Sequence, residues 1–179
     1  VVDPGGEGAR IQRRVAQLGF KVQALLHTHA HFDHVGATKE LQDIWQCPAY
    51  LHEADGYLIE HLDMQTGLFG MAAVPRPETE HQAHGDRLQG LAVLHTPGHT
   101  PGSCCFHGSF DQGQVVLAGD TLFAGGIGRT DLWGGSSPQI VDSIQRHLYT
   151  LDPGTLVVPG HGPATTIGEE AADNPFVRK

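Results

Sequence analysis

The sequence predicts a mixed α/β fold, in which helices cover a mixed sheet system rather than a simple parallel sheet. The chain has 179 residues, of which 39% are hydrophobic, which is enough for one domain with a sizeable core. Short apolar runs alternate with segments of helical periodicity along most of its length. Between residues 91 and 117 the apolar runs follow one another directly, which favours hairpin-like pairs of strands.

Apolar residues at helical spacing, together with residues that begin and end helices, predict the helical segments. The first segment carries Ile11 and Val15 on one side and ends at Gly19, and Ser137 predicts an N-cap with Pro138 in the first helical position. The predicted helices are Glu7–Leu18, Val35–Trp45, Glu53–Leu62, a segment from Ser137 to about Leu151, and a last turn around Glu169–Ala172 that Thr165 or Thr166 caps.

Short apolar runs bounded by polar or turn residues predict the strands. The segments 63–90 and 123–137 are rich in glycine, proline or charge and predict loops, the first of them with short strands. The predicted strands are Val22–His27, Pro48–Leu51, Leu91–Leu94, Ser103–His107, Val115–Leu117 and Leu156–Val158.

Composition excludes several classes of partner. Lys and Arg total 11 while Asp and Glu total 20, and the resulting net charge of −9 argues against a nucleic-acid partner. The sequence contains no run of 18 apolar residues, so no membrane span is expected. Cys47, Cys104 and Cys105 fit neither a disulfide framework nor a cysteine-based zinc site, and they predict thiols in a reducing, cytoplasmic compartment.

Histidine is unusually frequent, with 13 residues, and several of them follow predicted strands directly. If those strands end on one side of the sheets, the polar side chains that follow them meet at one edge. The residues in question are His29, His31, Asp33 and His34 after the first strand, His99 after Leu91–Leu94, Asp120 after Val115–Leu117, and His161 after Leu156–Val158.

The cluster from His29 to His34 gives the most specific prediction. Alternate residues of an extended segment point the same way, so His29 and His31 can share one ion, while Asp33 and His34 can face a second. Imidazole and carboxylate ligands suit zinc, iron or manganese, with zinc as the first expectation.

The other candidate ligands are individually ambiguous. His99 and His161 lie in rigid Pro-Gly-His turns and could be structural, and Asp120 could be a turn-forming residue. Combined with the first cluster, they complete a predicted set for two divalent ions in which Asp120 bridges both. Asp3 is either a turn residue or hydrogen-bonding support for a ligand histidine. The eight remaining histidines are predicted to be ordinary surface or packing residues.

The string from Thr28 to His34, followed in order by His99, Asp120 and His161, resembles the signature of the metallo-β-lactamase superfamily. This resemblance implies a four-layer αββα sandwich with the metals at one edge. Three local segments resemble the glyoxalase II (hydroxyacylglutathione hydrolase) branch, namely Thr96–Ser103, Gly119–Phe123 and Pro159–Gly162. Two further segments resemble the short bacterial members of that branch, namely Gly126–Asp131 and the ending Gly168–Glu170 with Asn174–Phe176.

The resemblance also defines what this chain lacks relative to that family. A single domain over residues 1–179 is expected, without the N-terminal strands and the C-terminal helical domain of full-length glyoxalase II. Arg129 stands where the family has a basic residue that contacts the glutathione carboxylate. Asp131 replaces the aromatic residue that the family carries two positions further on.

The predicted function is metal-dependent hydrolysis of an S-acylglutathione-like thioester. A hydroxide held between the two ions attacks the acyl carbonyl, with Asp33 orienting it and Asp120 bridging the metals as the two catalytic carboxylates. One alternative is a persulfide dioxygenase, which shares this signature and holds a single iron with residues matching His29, His99 and Asp120. The second alternative is a non-catalytic metal-binding domain.

Overall fold

The computed structural model describes residues 1–111 and 113–178. Contacts divide the chain into two units, Val1–Gln82 and Ala83–Lys179, each with its own sheet. The mixed α/β class predicted from the sequence is confirmed in both units. The expectation that residues 1–179 form a single domain stays a prediction.

The first unit is built on a three-stranded parallel sheet in the order β1-β2-β3. Its strands are β1 (Leu25–Leu26), β2 (Ala49–His52) and β3 (Glu80–Gln82). Val2 forms a parallel bridge with Leu26, so the first residues of the chain run beside β1. The strand predicted over Val22–His27 is therefore confirmed in position but is only two residues long.

The helices of this unit cover the sheet and begin near the predicted positions. Gly19, with φ of 69°, ends the first helix because its left-handed backbone is one that glycine adopts without strain. The helices are α1 (Gly8–Leu18), α2 (Phe32–Val35), α3 (Thr38–Trp45), α4 (Gly56–Glu60), which follows a 3-10 turn over Glu53–Asp55, and α5 (Leu62–Leu68).

Two predictions in this unit were wrong. The helix predicted over Val35–Trp45 is interrupted at Gly36, where the loop at Pro4 and Gly5 packs closely and Ala37 donates its backbone N–H to the Pro4 carbonyl at 2.9 Å. The start of the predicted loop 63–90 is α5 instead. Close packing against Gly5 overrides the helical periodicity at Gly36, and the burial of Leu62, Gln65 and Thr66 in α5 overrides the glycine and proline signals of the predicted loop.

The second unit is built on a six-stranded sheet in the order β11-β10-β7-β6-β5-β4, together with a small hairpin, β8-β9. β10 runs parallel to β7, and the other neighbours are antiparallel. The strands are β4 (Arg87–Leu88), β5 (Leu91–His95), β6 (Cys104–Phe110), β7 (Gly113–Gly119), β8 (Leu122–Phe123), β9 (Gly126–Ile127), β10 (Leu156–Pro159) and β11 (Thr165–Thr166).

Two helices pack on one face of this sheet. α6 (Ser137–Ser143) continues into a π-helical segment at 144–148, and its N-cap is Ser136 rather than the predicted Ser137. α7 (Ile167–Asp173) begins with a capping box in which the Thr166 hydroxyl accepts from the Glu169 N–H and the Glu169 carboxylate accepts from the Thr166 N–H. The core between the helices and the sheet contains Ile140, Ile144, Leu148, Tyr149, Val116 and Val157.

The segment 123–137, predicted as a loop, contains most of the β8-β9 hairpin. Its glycine-rich composition gave no strand signal. The three cysteines are buried thiols without a disulfide, as their composition predicted. None of the helices in the described residues is long and apolar enough to cross a membrane.

Candidate metal centre

In the first unit, Asp3 organises the polar residues that follow β1. Its carboxylate accepts the Thr28 backbone N–H at 2.8 Å, the Thr28 hydroxyl at 2.7 Å and the His34 Nδ1–H at 3.0 Å. The backbone of Asp3 has φ of 45°, a left-handed conformation that aspartate tolerates better than most residues. Asp3 is therefore more than a turn residue, because its carboxylate also provides hydrogen-bonding support for His34.

This network determines which nitrogen of each neighbouring histidine carries the proton. Because the Thr28 hydroxyl donates to Asp3, it accepts from His29 Nδ1 at 3.0 Å. His34 likewise donates from Nδ1 to the Asp3 carboxylate. Both rings therefore carry their lone pair on Nε2, the neutral form that binds a metal ion.

The candidate ligand atoms of this unit lie close together. His29 Nε2 is 3.1 Å from His31 Nδ1, and His34 Nε2 is 3.8 Å from the Asp33 carboxylate. The ring centroids of His29 and His34 are 4.0 Å apart. A separation of 3.1 Å is one that two nitrogens can span when each is about 2.0–2.1 Å from the same zinc ion. Four of the predicted ligands are thus brought together within this unit.

A second set of contacts holds the backbone of the same loop, and the sequence reasoning missed it. The buried Asp55 carboxylate accepts the Ala30 N–H at 3.1 Å. The buried Gln65 amide accepts the Phe32 N–H at 3.1 Å and donates to the Ala30 carbonyl at 3.2 Å. No motif marks Asp55 or Gln65, which lie 25 and 35 residues from Ala30 along the chain, so only the folded chain reveals them.

His27, directly before the ligand loop, has a structural role, as the sequence predicted. It is fully buried, it donates from Nδ1 to the Tyr50 carbonyl, and it accepts the Thr38 hydroxyl at Nε2. Burial lowers the pKa of the His27 imidazole despite the nearby Asp3 carboxylate. The ring is thus a neutral link between β2 and α3.

In the second unit, the three remaining candidate ligands follow β5, β7 and β10. Asp120 is central, since its Oδ2 lies 3.7 Å from His99 Nε2 and 3.7 Å from His161 Nε2. The Gly160 N–H donates to the Gly119 carbonyl at 2.7 Å, which ties the turn after β10 to the end of β7. The predicted convergence of polar residues at strand ends therefore holds within this unit.

The Gly128–Arg129 segment fixes the orientation of His99. His99 donates from Nδ1 to the Arg129 carbonyl at 2.8 Å, which leaves its lone pair on Nε2. Gly128 packs so closely that a Cβ built on it would lie 1.8 Å from the Asp120 carbonyl oxygen and 3.2 Å from the His99 Cβ. Only glycine fits this close approach.

The Arg129 side chain is exposed and forms a two-point ion pair with Asp131. The Nε–H and NH2 groups donate to the two carboxylate oxygens at 2.7 and 2.8 Å. These hydrogen bonds raise the pKa of Arg129 and lower the pKa of Asp131 to about 2. The cation predicted to bind substrate is therefore presented at the surface beside a competing carboxylate.

The donor set within each unit is of the kind that transition-metal ions bind. Neutral imidazoles with their Nε2 lone pairs available, and carboxylates beside them, are the ligands that zinc, iron and manganese share, whereas calcium and magnesium prefer oxygen alone. Among the other histidines, His61, His81 and His84 are exposed, as predicted for residues without a role. The structure does however pair His84 with His147, at 4.9 Å between ring centroids, which the sequence did not suggest.

Comparison with known proteins supports the same chemistry. The sequence profile of the Metallo-beta-lactamase superfamily matches residues 1–161. The probable metallo-hydrolase YqgX of Bacillus subtilis is 38% identical over 183 residues, covering 99% of this chain and 86% of that protein. Hydroxyacylglutathione hydrolase GloC of Haemophilus influenzae is 37% identical over 188 residues, covering 99% of this chain and 86% of that protein.

One solved structure extends the likeness to the fold and to metal binding. The crystal structure of TTHA1623 in a di-iron-bound form matches with a TM-score of 0.89 and 42% identity, over 98% of this chain and 87% of that one. The predicted fold class is thereby confirmed. Together with the His/Asp donors, this neighbour supports a binuclear metal site, and the named metallo-hydrolase supports metal-dependent hydrolysis.

Proposed function

Because this chain belongs to the metallo-β-lactamase superfamily, we propose that it is a glyoxalase II-type hydrolase that cleaves S-acylglutathione-like thioesters. The similarity to GloC, a hydroxyacylglutathione hydrolase, supports the thioester class. The activity proposed is that of a single domain on small-molecule substrates, without a nucleic-acid or membrane partner. The three cysteine thiols support a cytoplasmic setting.

The observation that carries the proposal is the set of hydrogen bonds at the Nδ1 atoms of the histidines. His29, His34 and His99 each donate Nδ1–H to a fixed acceptor, so each presents Nε2 as a ligand. The structural histidine His27 also donates from Nδ1, but its Nε2 accepts the Thr38 hydroxyl and is not available to a metal ion. We propose that two divalent ions, with zinc expected first and iron or manganese as alternatives, are held by His29, His31, Asp33, His34, His99, Asp120 and His161.

Two bound divalent ions would supply a hydroxide nucleophile at neutral pH and Lewis acidity toward the acyl carbonyl. The protein's own groups would then orient the reactants. Asp33, whose side chain is 41% exposed, can accept a hydrogen bond from the nucleophile and direct its lone pair toward the substrate. Asp120 brings one carboxylate oxygen to 3.7 Å from Nε2 of both His99 and His161. Arg129 offers a cation for a glutathione carboxylate.

The test combines metal analysis of the purified protein with a panel of two assays. We expect two equivalents of transition metal per chain, and hydrolysis of S-lactoylglutathione that Asp120→Ala abolishes while it strips metal. His81→Ala, which removes an exposed histidine outside the ligand set, is the matched control and should leave metal content and rate unchanged.

The second assay measures oxygen uptake with glutathione persulfide. Uptake together with one iron per chain would instead assign the persulfide dioxygenase reaction. Metal binding without either activity would assign a non-catalytic metal-binding domain. Near-normal hydrolysis by Asp120→Ala would contradict the two-metal scheme itself.

A further inference from the structure

The segment that ends the chain has no role in the proposed chemistry, although its sequence resembles the ending of the short hydrolases. We propose that Glu170 and Asn174 are positioning residues that hold the β8-β9 hairpin, and through it the Arg129 loop, in the geometry needed for an anionic substrate. This inference rests on the proposed function for its substrate. The dependence of the hairpin on α7 is the structural part of the inference, and it can be tested without an enzymatic assay.

Glu170 lies on α7 with only 4% of its surface exposed. Its carboxylate accepts the Gly125 N–H at 2.9 Å, the Asn174 amide N–H at 2.8 Å and the Thr165 hydroxyl at 2.7 Å. A buried carboxylate is costly unless it accepts several hydrogen bonds, and here one of its donors is the turn of the β8-β9 hairpin. The hairpin turn is therefore bound to α7 by a charged acceptor.

Asn174 makes the second connection between the end of α7 and the hairpin. Its amide N–H group donates to the Gly126 carbonyl at 3.1 Å and to Glu170 at 2.8 Å. Its side-chain oxygen accepts the Phe176 backbone N–H at 3.0 Å, which fixes the turn that follows. Two donated hydrogen bonds and one accepted hydrogen bond are needed here, and only an amide side chain supplies two N–H donors together with an acceptor.

The β8-β9 hairpin is connected directly to the residues around His99 and Asp120. Gly128 follows β9 directly and packs against the Asp120 carbonyl, and the Arg129 carbonyl accepts from His99. The Asn174 contact at Gly126 is therefore separated from the closest approach, at Gly128, by a single residue, Ile127. A displacement of the hairpin moves the Arg129 backbone, and with it the guanidinium that would meet the substrate carboxylate.

α7 is itself anchored on the core, which makes it a fixed support. The Tyr149 hydroxyl donates to the Glu170 carbonyl at 2.9 Å and to the Val177 carbonyl at 3.0 Å. Burial raises the pKa of Tyr149 to about 12, so this phenol remains a donor at every assay pH. The Thr166 capping box stabilises the other end of α7 without touching the hairpin.

The difference between Asn174 and Thr166 provides a controlled experiment. Asn174→Ala removes the contact with Gly126, whereas Thr166→Ala removes the cap and weakens α7 only at its start. With S-lactoylglutathione, we expect Asn174→Ala to raise KM about tenfold, because a small misplacement of a substrate-binding cation is costly. With the lactoyl thioester of N-acetylcysteamine, which has no carboxylate, KM should change less than about twofold. Thr166→Ala should leave both KM values unchanged.

A double variant separates positioning from general destabilisation. If Asn174 acts through Arg129, then Asn174→Ala should add almost nothing to KM in an Arg129→Ala background. Additive effects, or an equal rise in KM for both thioesters, would overturn the proposal. Should Asn174→Ala not fold, Glu170→Gln tests the same connection, since it retains the shape of the side chain but weakens acceptance from Gly125.

Hydrogen exchange decides the structural part independently of catalysis. Asn174→Ala should speed exchange of the amides between residues 122 and 129, while Thr166→Ala should speed exchange only in α7. The same exchange in both variants would refute the inference even if the wild type hydrolyses the thioester. Failure of the wild type on both thioesters, with exchange confined to the hairpin, would refute the proposed substrate and leave the hairpin's dependence on α7 standing.

Discussion

The two units hold their candidate ligands in different ways. In the first unit, four ligands lie within six consecutive residues, His29 to His34, and side chains such as Asp3 and Gln65 fix them from outside that segment. In the second unit, the ligands come from three separate strand ends, and backbone groups orient them. The Arg129 carbonyl fixes His99, and the Gly119 carbonyl fixes the turn before His161.

This difference shows where each half is vulnerable. A ligand oriented by a carboxylate depends on charge and on proton position, so a change of one atom can disable it. A ligand oriented by the backbone depends on how closely two segments approach, so added volume is the damaging change. Loss of charge in the first unit and added volume in the second therefore test the two kinds of dependence separately.

The largest effect is expected for Asp3→Asn. Asparagine tolerates the positive φ of 45° at this position, so the backbone is preserved while the negative charge is lost. The one amide oxygen still accepts the Thr28 backbone N–H, so the amide NH2 group faces the Nδ1–H of His34, and we expect zinc affinity to fall by about 10- to 100-fold. Competition titration with a chromogenic chelator measures this change.

Asp43→Asn is the control for Asp3→Asn, because it removes an exposed carboxylate that pairs with Lys39 at the surface, at 2.6 Å. Its zinc affinity should equal that of the wild type. If Asp3→Asn also binds zinc normally, the carboxylate does not determine the protonation of His34, and the distinction between the units fails.

Gly128→Ala addresses the second unit, where the expected effect is smaller. The added methyl group would lie 1.8 Å from the Asp120 carbonyl oxygen, so either the hairpin or Asp120 must shift. We expect kcat/KM for S-lactoylglutathione to fall about tenfold or more. Gly126→Ala, two residues earlier, is the matched control because its methyl group would lie 3.7 Å from Phe123, an ordinary contact. Equal rates for the two variants would show that close backbone approach does not organise this half.

The same contrast explains how much the sequence could predict. The candidate ligand cluster His29–His34 could be predicted because one short segment carries it, and His99 and His161 were predicted as ligands from Pro-Gly-His turns at strand ends. Asp55 and Gln65 could not be predicted, since a buried carboxylate or amide that binds a distant backbone has no sequence spacing of its own. The interruption at Gly36 and helix α5 were missed for a related reason, because packing against residues distant in sequence decides them.

The smallest effect is expected for Asp131→Asn, which tests the side-chain ion pair between Arg129 and Asp131 in the second unit. The variant removes the carboxylate that competes for the Arg129 guanidinium, so KM for S-lactoylglutathione should fall about two- to fivefold, as suits an exposed pair. KM for the lactoyl thioester of N-acetylcysteamine should not change.

The pKa of Asp131 is about 2, below its usual 3.8, so the ion pair is lost only as pH falls toward 2. The ratio of the two KM values should therefore be constant between about pH 5 and 9. Added salt should shrink the difference by screening. A higher KM in Asp131→Asn would mean that this carboxylate orients Arg129 toward the substrate rather than competing with it, and side chains would then orient the functional groups of both units.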